Sequence, residues 1–389
     1  MDPLNNKNIF GRNKKQNQKQ NQKHNKTVRF MLQGGLQGRD REMDGIPAEE
    51  KKTRRKGPKK GPKKRPRKGS RSDKPSVNSL SKTLKKKVKK EACSPYAKEK
   101  NSIKGSCFTD GNLVDLKNTF NRKHPDDTIQ TEDPVQIWTE LAEKTREEYQ
   151  CNKESCWVNH LADSTNKTKL KSLLFAPPQP SEWKQNPITW LSNFDILHVL
   201  KQYEQTYPHF FFIGPSPIDY NYKEYGGRCV CPNLCQFDLQ KQYSAGKRKI
   251  GVIFNLDPHH KSGSHWVSLF IDLEDQFVFY FDSTSDPIPK LINGFATNVI
   301  HQGRNMNPTI DLAFHQNNKI EHQKKNTECG MYSLFFIITM LIREKNGRKL
   351  NKDDLFTLFK GGKRIPDDKM QQLRGVFFNK TLEGGSKKR

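Results

Sequence analysis

The chain has 389 residues, with 70 Lys+Arg against 42 Asp+Glu and a formal net charge of +28 at pH 7. About 32 of the basic and about 9 of the acidic residues fall within residues 1–100, so the excess belongs to that stretch and the remainder has an ordinary globular balance. Eight cysteines are too sparse to read as a disulfide framework, no secretory h-region is found, and no apolar run reaches the roughly 18–20 residues of a membrane span. A soluble protein with reduced thiols is therefore expected.

Residues 1–104 read as a disordered arm. The opening is rich in Asn, Gln and Lys, residues 51–68 repeat Gly-Pro-Lys-Lys, and residues 82–90 add another lysine run. Proline and glycine exclude a helix there, and like charges extend the chain. Such a run neutralises phosphates and binds polyanions without reading sequence, so residues 1–100 are expected to bind DNA non-specifically. A nuclear-import signal is the other reading.

Residues 105–184 read as a mostly helical extension packed on the main domain. Asp133-Pro134 is an N-cap with proline at the first helical position, and Ile137, Leu141 and Ala142 carry the helical spacing. Cys151 and Cys156 lack a second ligand pair and read as buried thiols rather than a zinc site. The main domain is expected over 185–380, with 381–389 a flexible tail. Its first helix begins at Ser192, where Asp195 completes a capping box. Residues 209–213 read as a buried strand. Cys229, Cys231 and Cys235 lack a clear fourth ligand, so no metal is expected. Residues 249–256, 265–273 and 276–282 are strands, the last two forming a hairpin about Glu274-Asp275, and 309–315 is a fourth segment of the same kind. Strands gathered in the middle with helices before and after indicate an α+β layer pattern with a central mixed sheet. Asn351 with Asp353 and Asp354 signals a further helix start, and 367–378 another helix.

The chemistry-bearing residues lie in the second half. Cys329-Gly330 opens an apolar run to Ile342 that is long enough for a buried helix. A thiol at a helix N-terminus feels the positive end of the dipole, which favours thiolate, and Cys329 is the candidate nucleophile. His265 begins one hairpin strand and Asp282 ends the next, so antiparallel pairing brings them to one sheet edge. The carboxylate would orient the imidazole, which would draw the proton from Cys329 and deliver it to a leaving amine. Gln323 and the Cys329 backbone N–H would donate to a developing oxyanion. His259 and His260 are rival bases in a polar loop.

His265-Trp266, Asp282, Gln323 and Cys329-Gly330, in that order, resemble the ubiquitin-like-protein (SUMO) protease and adenovirus-protease superfamily. Trp190-Leu191 and Asn255 extend the resemblance, which covers roughly 185–345. Two departures stand out: Glu328 occupies a position where SUMO proteases usually have Asp, and the region before 185 has no counterpart in the cellular catalytic domain. Residues 207–219 and Thr327–Gly330 look more like the versions encoded by large DNA viruses. The resemblance implies a papain-like/adenain-like cysteine protease fold without a cofactor. It implies Cys329 as nucleophile, His265 as base, Asp282 as orienter and Gln323 as oxyanion donor, with Trp266, Trp190 and Gly330 along the substrate groove. It also implies cleavage after Gly-Gly-type sites, either in viral structural precursors in the virion and host cytoplasm or in a ubiquitin-like modifier in the nucleus. A third, non-enzymatic reading is a nucleic-acid-binding packaging protein with an inactive protease-like domain. Gly-Gly pairs occur at 34–35, 226–227, 361–362 and 384–385, and self-trimming is expected at the first and last, in the flexible ends.

Overall fold

The computed structural model describes residues 88–223, 226–345 and 347–380. The expected arm therefore lies, as far as residue 87, outside the described residues, as do the expected tail and the Gly-Gly pairs at 34–35 and 384–385. Residues 88–104 correct the expected boundary, because they belong to the folded body. Helix α1 (Pro95–Lys100) starts on Ser94, whose side chain accepts from the Ala97 N–H, with proline at its first position. Ala97 and Ile103 are fully buried. A charge average over a 100-residue window hides this short apolar segment after the last lysine run.

Helices α2 (Asp110–Lys123), α3 (Pro134–Tyr149), α4 (Glu154–Leu161) and α5 (Lys167–Leu174) come next. The Asp133 side chain accepts from the Gln136 N–H and starts α3 where the Asp-Pro signal places it. These helices bury their own core of Phe108, Leu116, Phe120, Leu141 and Trp157. The Glu154 carboxylate is enclosed in that core, where it accepts from Trp138 Nε1 at 2.6 Å and from the Cys107 N–H at 2.8 Å. Burial pushes its carboxyl up to about 7 against the pull of those donors.

The cysteines depart from the expected free thiols. Cys93 pairs with Cys107, Cys151 with Cys156 and Cys229 with Cys235, at Cα separations of 5.1, 5.6 and 6.4 Å. Each pair closes a short loop, a relation that overall cysteine density does not express. Cys231 and Cys329 are free thiols.

The sheet that carries the site has the order β1-β2-β3-β4-β5: Phe210–Pro217, Lys249–Asn255, Trp266–Asp272, Phe277–Phe281 and Ala313–Gln316. The outer pairs are parallel and the inner two antiparallel, so the sheet is mixed as expected. Strand alternation divides the core between its faces. Phe277, Phe279 and Phe281 of β4 enter one cluster, whereas Val278 and Tyr280 enter the other. The second face is covered by α7 (Lys290–Arg304), whose Ile292, Phe295 and Val299 meet it. The first is covered by α6 (Asn193–Thr206) and α8 (Cys329–Ile342). The Ser192–Asp195 capping box starts α6 as read from the sequence. Helix α8 is apolar nearly all round because neighbours enclose it on every side. Gly251 on β2 admits the helix: a Cβ there would lie 3.0 Å from Ile337 Cγ2. Strand β5 begins later than expected, because Ile310 and Leu312 are spent on the core and pairing starts only at Ala313.

After α8 come a short helix, Lys352–Phe356, capped by Asn351, and α9 (Asp367–Phe377). Asn379 then joins the two ends of the described chain. Its amide donates to the Ala92 and Ala176 carbonyls and accepts from the Ala92 N–H. No described helix is long and apolar enough to cross a membrane.

The buried Glu154 makes stability pH-dependent in a known direction. A carboxyl raised in the fold contributes least to stability once ionised, so its penalty grows as pH rises from the ordinary carboxylate range through about 7. Glu154→Gln is expected to be stabilising at pH 8 relative to wild type, by at most about 3 kcal/mol, and to lose that advantage at pH 5. Thermal melts at the two pH values measure it.

Candidate active site

The His265–Asp282 pair is built by strand register. Ser268 on β3 faces Phe281 on β4, so the residue three positions before Ser268 and the residue just after Phe281 emerge at the same sheet edge. There His265 Nε2 donates to Asp282 Oδ1 at 2.7 Å. Asp282 is fully buried, so its carboxylate requires several donors. The Thr284 N–H and Oγ1 supply two, at 2.9 and 2.8 Å to the same oxygen. Asn317, also fully buried, holds the Asp282 main chain from both sides, accepting from its N–H and donating to its carbonyl.

Cys329 is the first residue of α8. Its N–H precedes the first intrahelical acceptor, which leaves it as a donor at the positive end of the helix. The Cys329 side chain acts on His265 together with Asp282. Burial lowers the imidazole value, but the bonds and charges of those two partners outweigh it and carry His265 to about 10. The arrangement therefore favours imidazolium beside the sulfur at neutral pH. The stabilisation is complete below the ordinary histidine value and is lost as pH rises through about 10.

Gln323 lies on the loop entering α8 and is 5% exposed. Ser283 fixes it from both ends: the Gln323 N–H donates to the Ser283 carbonyl at 2.8 Å, and the Ser283 hydroxyl donates to Gln323 Oε1 at 2.8 Å. Holding the amide oxygen in this way leaves the amide nitrogen as the free donor. The neighbouring His322 is buried and acts as a neutral strut, donating from Nε2 to the Phe359 carbonyl and accepting from the Ile365 N–H at Nδ1. Burial lowers its value and keeps it in that form.

Two of the expected groove residues, Trp266 and Gly330, meet behind the cysteine. A Cβ on Gly330 would lie 3.1 Å from Leu191 Cβ and 3.3 Å from Trp266 Cδ1, so only glycine lets the helix end pass so close. Trp266 donates from Nε1 to the Leu191 carbonyl at 3.1 Å and is mostly buried, while Trp190 is half-exposed. Asn255 ties the loop before His265 to itself, accepting the Asp257 and Ser264 N–H groups. Of the rival bases, His259 is bonded through Nδ1 to Asp219 at 2.6 Å, and Asp282 takes His265 instead. Asp219, His259 and His260 place ligand-capable atoms within 4.8 Å of one another, but the Asp219 carboxylate is already spent on the His259 ring and N–H.

Sequence reading missed Ser283, Thr284 and Asn317. The Ser-Thr pair directly after Asp282 was a visible signal, since such side chains often bond nearby backbone. Asn317 gave none, being 35 residues from the Asp282 main chain it holds.

Cys329, at a helix N-terminus beside His265, is expected to react with iodoacetamide at neutral pH. His265→Ala is expected to slow that reaction at pH 7 by about tenfold or more, and Asp282→Asn to slow it less. Mass-spectrometric rates of alkylation at Cys329 provide the check.

Residues 238–371 match the Ulp1 protease family, C-terminal catalytic domain. A protein of Acanthamoeba polyphaga mimivirus, named as a thiol protease, is 34% identical over 165 residues, which cover 42% of this chain and 52% of that relative. The match thus spans about half of the relative's length. A cysteine protease of African swine fever virus (strain Badajoz 1971 Vero-adapted) is 28% identical over 214 residues, covering 51% of this chain and 76% of that protein. The crystal structure of an African swine fever virus protease superposes with a TM-score of 0.50 at 21% identity, over 76% of this chain and 97% of that one. That likeness speaks to the fold. Residues 238–371, which contain His265, Asp282, Gln323 and Cys329 in the order and setting described above, match the catalytic domain of the Ulp1 protease family, a family of cysteine peptidases.

Proposed function

We propose that the protein is a viral cysteine endopeptidase that cuts after small-residue, Gly-Gly-type sites in structural precursors. The observation that carries this reading is the joint placement of Cys329 at the start of α8, His265 bonded to buried Asp282, and Gln323 with its amide oxygen already engaged. In the resulting mechanism, the thiolate attacks the scissile carbonyl carbon. The oxyanion is held by the Cys329 N–H and the Gln323 amide. The His265 imidazolium then protonates the departing amine, leaving an acyl-enzyme that water hydrolyses with His265 as base. Asp282 keeps the imidazole in the tautomer and orientation that both steps need.

Small residues before the cut are favoured by the confinement of the sulfur. Cys329 is 1% exposed, with Leu191 and Trp266 packed behind Gly330. A side chain beside the scissile bond would meet those walls. The similarity to viral thiol and cysteine proteases favours a precursor over a folded modifier as substrate. The modifier reading remains the alternative, supported by relatives from other African swine fever virus isolates that are named as SUMO-1 cysteine proteases. The basic arm, whose excess charge lies in residues 1–100, would hold the enzyme on packaged nucleic acid beside substrates bound to the same polymer, in the virion and the host cytoplasm.

Cleavage of an internal Gly-Gly-X peptide library by wild type, and none by Cys329→Ala, is expected. Cutting of a folded ubiquitin-like modifier precursor with no cutting of the library would select the modifier reading, and no Cys329-dependent cutting of either would remove the peptidase. Ser283→Ala is expected to lower kcat by about 10–100-fold with little change in KM, since it frees the Gln323 amide to turn; steady-state kinetics on a library hit decides it. Deleting residues 1–87 is expected to abolish salt-sensitive DNA binding while leaving peptide cleavage intact. Unchanged binding in a salt titration would remove the arm's role.

A further inference from the structure

Glu328 stands directly before the cysteine and is fully buried. An acid beside a thiolate is unfavourable unless it is neutralised, and burial raises its carboxyl while Arg374 pulls it down. Arg374 comes from α9, 46 residues away, and donates to Glu328 Oε2 from Nε at 3.1 Å and from Nη2 at 2.9 Å. Its remaining donors turn the other way. Nη1 reaches the Pro187 and Thr189 carbonyls at 3.2 and 2.9 Å, and the guanidinium lies 4.3 Å over the Trp183 ring. Trp183 Nε1 donates to the same Thr189 carbonyl at 3.0 Å. Two residues further on, Leu191 packs on Gly330 and takes the Trp266 indole bond.

A planar guanidinium with five donors is suited to this task, whereas a lysine ammonium cannot span both partners at once. We infer that Arg374 is a positioning residue for the proposed peptidase: it neutralises Glu328 beside the nucleophile and fixes the turn that aims the Cys329 N–H, while anchoring the groove segment 187–191 to that same turn. The inference rests on the peptidase reading but makes a claim of its own about the sulfur. The charged groups around Glu328 are Arg374 and Asp367, both on α9, with Arg364 paired to Asp367. Around the sulfur stands His265, backed by Asp282.

The test uses the full chain. The pH at which Cys329 alkylation by iodoacetamide is half-maximal is measured alongside kcat and KM, with thermal melts to establish folding. Arg374→Gln is expected to raise that pH by about one unit, because a buried uncompensated carboxylate then faces the thiolate, and to lower kcat by about tenfold or more. Arg374→Lys should recover part of the alkylation shift but little of kcat. The double variant Arg374→Gln/Glu328→Gln should return the alkylation midpoint close to wild type. A folded Arg374→Gln with the wild-type midpoint and wild-type kcat would overturn the inference. If both Arg374 variants fail to fold, Glu328→Gln alone decides: a lower midpoint supports it and an unchanged one overturns it. Alkylation needs no substrate, so shifts of the expected sign in a protein that cleaves nothing would retain the role of Arg374 and reject the peptidase.

Discussion

The site depends on a carboxylate held entirely away from water. Asp282 is fully buried, and an isolated charge there would be too costly to keep. Donors gather on one of its oxygens, His265 with the Thr284 N–H and hydroxyl, while Asn317 holds its main chain. Once the carboxylate is fixed, the imidazole has one orientation, and its other side faces the sulfur. Removing His265 or Thr284 leaves a buried charge short of partners, which costs more than the bond itself contributes. The same logic recurs one shell out. Ser283 commits the oxygen of Gln323, and Arg374 takes one oxygen of Glu328.

The fold places these groups with few parts. Antiparallel β3 and β4 supply His265 and Asp282 at one edge, and α8 brings Cys329 to that edge by packing on β2 and β3. Close approach is the requirement, and two glycines meet it: Gly251 beneath the middle of the helix and Gly330 at its start. The loop before α8 carries Gln323 and would be free to move but for His322, Tyr332 and Asp367. Tyr332 donates its hydroxyl to the Ile365 carbonyl at 2.7 Å, and the Asp367 carboxylate accepts the Lys324 N–H. The C-terminal segment thus braces the loop before the cysteine, and through Asn379 it also ties down the N-terminal helices.

Those N-terminal helices form a separate hydrophobic cluster with its own disulfides, Cys93–Cys107 and Cys151–Cys156. Cross-links that close loops of such short span add to a core too small to hold its irregular connections by burial alone. Sequence reading treated residues 88–104 as arm and the cysteines as thiols for one shared reason: both judgements came from averages along the chain. Pairing depends on which loops lie side by side, and that is a property of the packed cluster.

By itself the sequence determined the features that depend on local chemistry or on the spacing of a single hairpin. Asp133, Ser192 and Asn351 cap helices because their side chains reach their own backbone. Strand alternation in 266–281 divides the core because the pleat has period two. A hairpin brings His265 and Asp282, 17 positions apart, together, and the glycine after Cys329 marks a helix end that something must approach closely. Tertiary structure alone decided the partners of those residues. Asn317, Ser283 and Arg374 act across separations of 35, 40 and 46 residues, where no local periodicity links donor to acceptor. Only burial, which withdraws water as the competing partner, makes each of these pairings obligatory.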